Sequence, residues 1–143
     1  MRALGIDLGS KRIGVATSDR SGTIATPLTV LKRSGSRETD YQAIAELVTE
    51  YEIECVVVGL PLHMNGKYGD AAKSAVAEVQ QLTSVLSVPV LTFDERRTTV
   101  TADNILIEQN MNAQERRKVI DKVAAAVMLQ SWLDGRKMTE SNS

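Results

Sequence analysis

Three groups of carboxylates sit where an acid is hard to explain as surface decoration. Asp7 interrupts an apolar segment, the pair Asp94-Glu95 directly follows another, and Asp121 precedes the run Ala124-Ala125-Ala126. An unpaired buried carboxylate is costly, so each must be hydrogen-bonded, ion-paired, protonated or bound to a metal. If the acids converge, two like charges ~4 Å apart repel by about 4 kcal/mol at an effective dielectric of ~20. Three such charges need a cation between them. Oxygen-only donors with room for water favour Mg²⁺ or Mn²⁺. Two such ions ~3.5–4 Å apart are a known means of phosphodiester hydrolysis, one activating water and the other stabilising the leaving oxygen. Each acid also has a plainer role open to it. Asp121 suits a helix cap, Glu95 can pair with Arg96 or Arg97, Asp94 can accept from turn amides, and Asp7 can bond a backbone N–H, Lys11 or Arg12.

The elements that must position these acids follow from periodicity. Leu4, Ile6 and Leu8 alternate with Ala3, Gly5 and Asp7, the period of a strand with two distinct faces. Gly9-Ser10-Lys11 supplies a turn, and Ile13, Val15 and Thr17 resume the alternation. Asp19-Arg20-Ser21-Gly22 reads as a second turn, and Leu28 to Leu31 after Pro27 as a short third strand. Thr39 followed by Gln42 has capping-box spacing and predicts a helix with Ile44, Leu47, Val48 and Tyr51 on its apolar face. Cys55 to Val58 is unbroken and β-branched, as in a strand buried on both faces. After the long loop Gly59 to Gly69, Asp70 is placed to cap a helix whose apolar face is Ala72, Val76, Val79, Leu82 and Leu86. Val88 to Phe93 reads as the last strand. Helices are expected from Thr98 or Thr99 to about Gln109 and from Val119 to Leu133.

This order predicts an α/β fold: a mixed five-stranded sheet, a three-strand antiparallel meander followed by parallel strands, with helices on both faces. The first strand is central. The strand ending at Asp94 terminates on the side where ligands of α/β sheets gather. The alanine run lets the last helix approach closely and bring Asp121 to the same place.

The 143 residues suit a single domain, expected over 1–135, with a polar tail at 136–143. A net charge of −1 gives no global positive field, so a nucleic-acid partner must be held by local cations or through a metal. Candidate cations are Lys11 and Arg12 at the hairpin turn, Arg96 and Arg97 beside the acids, and Arg116, Arg117 and Lys118 before Asp121; Asn65 and Lys67 lie in the long loop. Taken one at a time, each cation reads more simply as a solvated surface charge. The single cysteine, Cys55, fits a reducing cytoplasm and reads as core. With His63 the only histidine, a structural zinc site is implausible. No stretch approaches the ~20 apolar residues of a membrane span. Aromatics at 3% leave little equipment for stacking unpaired bases. Whether the chain is a monomer or a homodimer is undecided by the sequence.

Four ordered motifs carry a resemblance: GIDLGSKRIGVA at Gly5–Ala16, VVGLPLHMNG at Val57–Gly66, FDERRTT at Phe93–Thr99 and VIDKVAAAVMLQSWL at Val119–Leu133. Together they resemble the YqgF family of bacterial pre-16S ribosomal RNA nucleases, also described as Holliday junction resolvase-like. GIDLG alone is shared with sugar kinases and actin-like ATPases. The resemblance implies a ribonuclease H-like fold, catalytic and metal-binding acids at Asp7, Glu95 and Asp121, and metal-dependent hydrolysis at the 5′ end of precursor 16S RNA, free or in a pre-ribosomal particle. A DNA-processing, junction-resolving nuclease and a non-catalytic ribosome-assembly factor are the alternatives. Two departures stand out. Arg97 occupies a position where the family usually has Leu. True junction resolvases carry acids where this chain has Gly59-Leu60-Pro61 and Ala124-Ala125, so their carboxylate set is incomplete here.

Overall fold

The computed structural model describes residues 1–61, 67, 69–95 and 123–136. A five-stranded sheet carries strands β1 (Ala3–Leu8), β2 (Arg12–Ser18), β3 (Ala25–Lys32), β4 (Cys55–Leu60) and β5 (Val90–Asp94) in the order β3-β2-β1-β4-β5. The first three strands are mutually antiparallel, and β4 and β5 run parallel to β1. Helices α1 (Arg37–Glu50) and α2 (Asp70–Val85) are the crossovers flanking β4, and residues 123–136 form a helix, α3. The expected mixed sheet is the one observed.

Each face of the sheet has its own core, and the strand alternation decides which residue joins which. Leu4, Ile6, Ile13, Val15, Val56 and Val58 pack with Tyr41, Ile44 and Val48 of α1 and Leu82 of α2. Ala3, Ala16, Cys55 and Val57 pack on the other face with Ala125, Ala126, Met128, Leu129 and Leu133 of α3. The sheet residues on the first face are mostly large and those on the second mostly small, and α3 comes close to the sheet at Gly5, where an added Cβ would stand 2.9 Å from Leu129 Cβ and 3.2 Å from the Ala125 carbonyl oxygen. Neither neighbour is a flexible chain end, so α3 would have to move. Gly5→Val is therefore expected to destabilise the fold by about 1–3 kcal/mol, the usual effect of overpacking; a urea-denaturation series reads it directly.

Several expected boundaries move. Helix α1 begins at Arg37 with Ser36 as its cap, the Ser36 hydroxyl accepting from the Thr39 N–H. Thr39 is thus inside the first turn rather than at its cap. Asp70 is the first residue of α2, and its cap is Gly69, which makes no side-chain capping bond. The third strand is longer than expected because its pairing with β2 runs from Ala25 to Lys32 through Pro27; a strand with no further neighbour tolerates the missing N–H. The last strand starts after Pro89 rather than at Val88. On α2, Glu78 is buried together with Ala72, Ala75 and Leu82. The helix expected near 99–109, the polar tail at 136–143 beyond Arg136 and the start of the last helix before 123 lie outside the described residues.

Candidate active site

Asp7 lies one residue from the C-terminal end of β1, on the face that carries Ala3 and Gly5. Glu95 directly follows β5, whose partner across β4 at Phe93 is Gly59. Since β1, β4 and β5 are parallel, their C-terminal ends share one edge of the sheet, where α/β folds gather ligands. The Glu95 side chain turns back across the end of β4. An added Cβ at Gly59 would stand 2.6 Å from Glu95 Oε1, 3.0 Å from its Cγ and 3.1 Å from its Cδ. The room left by the missing side chain at Gly59 is occupied by the Glu95 carboxyl.

That seat brings the Glu95 carboxyl within reach of the Asp7 charge and of a hydrogen bond to it. A hydrogen bond between two carboxyls requires a proton between them. Burial pushes the Glu95 carboxyl up; the Asp7 charge, the hydrogen bond to Asp7 and the Asp94 charge push it further, to about 7. The pair therefore behaves as two acids that cannot both ionise without a compensating cation. The stability consequence has a definite sign. From about 4.5, the ordinary Glu value, to about 7, the folded protein retains a proton that the unfolded chain releases. Without metal, the melting temperature should fall as pH rises through that window. Glu95→Gln should flatten the decline, and Mn²⁺ should reverse it in the native protein only; differential scanning calorimetry from pH 4.5 to 8 checks all three.

Two hard oxygen donors facing each other suit Mg²⁺ or Mn²⁺. Among the described residues no group of three or more His, Cys, Asp or Glu side chains comes together to hold a metal ion. Asp121, the third expected acid, lies outside the described residues, as do Asn65, Arg96, Arg97, Arg116, Arg117 and Lys118. Lys11 and Arg12 are described and exposed at the β1–β2 turn. Arg12 is the register partner of Lys32, and Gly14 that of Asp7. The alternation therefore sets Arg12 and Lys32 on the Asp7 face of the sheet, beside the carboxyl pair's edge. Lys32 was not among the expected cations. Its signal was pairing across strands, which the sequence does not display. Cys55 is buried, and that burial pushes its thiol up, as befits a core residue.

A mixed sheet in the order β3-β2-β1-β4-β5, with one acid on its central strand β1 and another just after β5, has the ribonuclease H-like fold. The structure of RuvC from T. thermophilus in complex with a Holliday junction substrate matches it with a TM-score of 0.63, covering 97% of each chain at 17% identity. The chain belongs to the family described as RuvX: Holliday junction resolvase, whose model matches residues 1–135. It is 44% identical over 138 residues to a protein of Thermoanaerobacter pseudethanolicus named "Putative pre-16S rRNA nuclease". It is 48% identical over 138 residues to a protein of the same name from Caldanaerobacter subterraneus subsp. tengcongensis. Both alignments cover 96% of this chain and 99% of the relative.

Proposed function

We propose that this chain is a divalent-metal-dependent phosphodiester hydrolase that trims precursor 16S ribosomal RNA in the cytoplasm. The observation that carries the reading is the Glu95 carboxyl seated over Gly59 at the C-terminal edge of the sheet, where the Asp7 charge acts on it. Asp7 and Glu95 would hold Mg²⁺ or Mn²⁺. Asp121 is the proposed third ligand, on the motif resemblance that groups it with Asp7 and Glu95. A divalent ion held there supplies Lewis-acid stabilisation of phosphoryl charge and eases deprotonation of water.

The protein's own part is to keep the acids in place and the substrate in register. The seat over Gly59 fixes Glu95, and β1, in the middle of the sheet, fixes Asp7. Glu95 would hold the ion as its carboxylate, so cleavage is expected to rise as pH climbs through about 7. Lys11, Arg12 and Lys32, with Arg96, Arg97, Arg116, Arg117, Lys118 and Asn65 as further candidates, would grip phosphates and make binding salt-dependent. Precursor RNA as the substrate is supported by what the relatives are named.

The likeness to a junction-bound RuvC favours a second reading, cleavage of branched DNA. A cleavage assay separates the two: labelled precursor RNA and a synthetic four-way DNA junction, each with Mn²⁺, Mg²⁺ or chelator. Metal-dependent cutting of the RNA alone is expected; cutting of the junction alone would replace the substrate. Binding of RNA without any cutting, with or without metal, would make the chain an assembly factor. In the same assay Asp121→Asn should abolish cleavage at an unchanged melting temperature. Asn caps a helix about as well as Asp, so retained cleavage would reduce Asp121 to a cap.

A further inference from the structure

The most elaborate polar network among the described residues lies on the opposite face of the sheet from the carboxyl pair. Arg33, just past β3, makes a two-pronged ion pair with Glu78 of α2: NH1 to Oε1 at 2.7 Å and NH2 to Oε2 at 2.9 Å. Glu78 is 3% exposed. The Tyr41 hydroxyl of α1 donates to the same Oε1 at 2.8 Å and lies 3.1 Å from Gln81 Oε1. Burial pushes Glu78 up, but Arg33 and Tyr41 outweigh it and hold the group below its ordinary value, ionised.

Stability does not explain such a pair. Replacing a buried ion pair with apolar residues of similar volume is often neutral or stabilising. What the pair does that apolar residues could not is aim the Arg33 Nε, which donates to the Gly9 carbonyl at 2.9 Å; the backbone N–H of the same residue donates to the Lys11 carbonyl at 2.9 Å whatever its side chain. Both acceptors belong to the β1–β2 turn. The segment after Arg33 is fixed in turn, since Asp40 accepts from the Ser34 N–H at 3.0 Å and from its hydroxyl at 2.9 Å. The turn that follows Asp7 by two residues is thus fastened from outside the hairpin to α1 and α2.

We propose that Arg33 and Glu78 are positioning residues that hold the β1–β2 turn, and with it Lys11 and Arg12, in place to receive a phosphodiester backbone running away from the carboxyl pair. Arg12 and Lys32, register partners on the Asp7 face, would present two cations to a phosphate beside that turn. Arg33 itself touches no substrate. Its guanidinium is consumed by Glu78 and Gly9, and it acts through the turn. The inference rests on the proposed nucleic-acid function, whose failure the test keeps distinct.

The test measures binding of a labelled single-stranded RNA from the 5′ leader of a 16S precursor, in the Asp7→Asn background so that the RNA stays intact. Arg33→Met/Glu78→Leu removes the tether without leaving a buried charge. It should melt near the parent temperature and bind Mn²⁺ unchanged when Asp7 is native. Its RNA affinity should fall about tenfold, because two cations must then be ordered on binding rather than beforehand. Lys11→Gln/Arg12→Gln should lose at least as much. Parental RNA affinity in the tether variant, with loss in the turn variant, overturns the positioning role and leaves the nuclease reading intact. Parental affinity in the turn variant overturns the turn as a binding element, and the inference with it. Should the double variant fail to fold, Arg33→Lys decides. Lysine keeps the charge on Glu78 but lacks the fork that also reaches Gly9, so a parental melting temperature with weakened RNA binding is the expected result, and unchanged binding contradicts it.

Discussion

Replacing Asp7 with Asn is expected to reduce metal-dependent cleavage by at least about a thousandfold while leaving the fold intact. Loss of a divalent ion's stabilisation of phosphoryl charge is worth several kcal/mol, and about 4 kcal/mol corresponds to a thousandfold in rate. Asn is nearly isosteric with Asp and accepts or donates at the same place. It also removes the like-charge contact that pushes Glu95 up. The variant should therefore melt at or above the native temperature above pH 7, where the native pair is most strained. Single-turnover cleavage with Mn²⁺, alongside calorimetry, checks both halves. Cleavage within a few-fold of native would exclude Asp7 from the chemistry.

Gly59→Ala is the second large effect, because fold and site respond to it differently. A new Cβ would meet Glu95 Oε1 at 2.6 Å, far inside van der Waals contact. Its three nearest obstacles all belong to the Glu95 side chain rather than to backbone, so the sheet need not move and stability should change little. The carboxyl must leave its seat beside Asp7. Mn²⁺ affinity should fall by about 10–100-fold, as when a metal ligand loses its support, and cleavage should fall with it. Isothermal titration with Mn²⁺ and a melting curve separate this from simple destabilisation. A variant with native Mn²⁺ affinity would show that the seat does not matter. The space at the end of β4 is taken by Glu95 arriving from the next strand.

Sheet and faces were legible because local patterns specify them. The alternation of Leu4, Ile6 and Leu8 against Ala3, Gly5 and Asp7 separates the two cores as observed, and the carboxylate in the small-residue row is what singles out Asp7 as a candidate. The unbroken run at Cys55 to Val58 was legible as a strand covered on both faces for the same reason. What escaped depends on distant partners. Glu78 on a helix reads as a solvent-facing charge; its burial exists only because Arg33, 45 residues away in sequence, reaches it. Gly59 reads as the end of a strand, and its role comes from Glu95 folding over it. Lys32 joins Arg12 only through register. Helix α1 begins at Arg37, capped by Ser36, and this start was hidden from the apolar periodicity because Arg37 and Glu38 in its first turn are polar, whereas the Thr39 and Gln42 spacing was a chance match to a capping box.

The central claim is that Asp7 and Glu95 together hold a divalent cation, and direct Mn²⁺ binding tests it without assuming a substrate. Electron paramagnetic resonance at pH 8 would count free Mn²⁺ during titration of the native protein, Asp7→Asn and Glu95→Gln. The account requires binding by the native protein and its loss or marked weakening in both variants, each still folded. Native affinity in either variant, or no binding by the native protein, would contradict it and leave the carboxyl pair as a buried hydrogen bond without a catalytic metal.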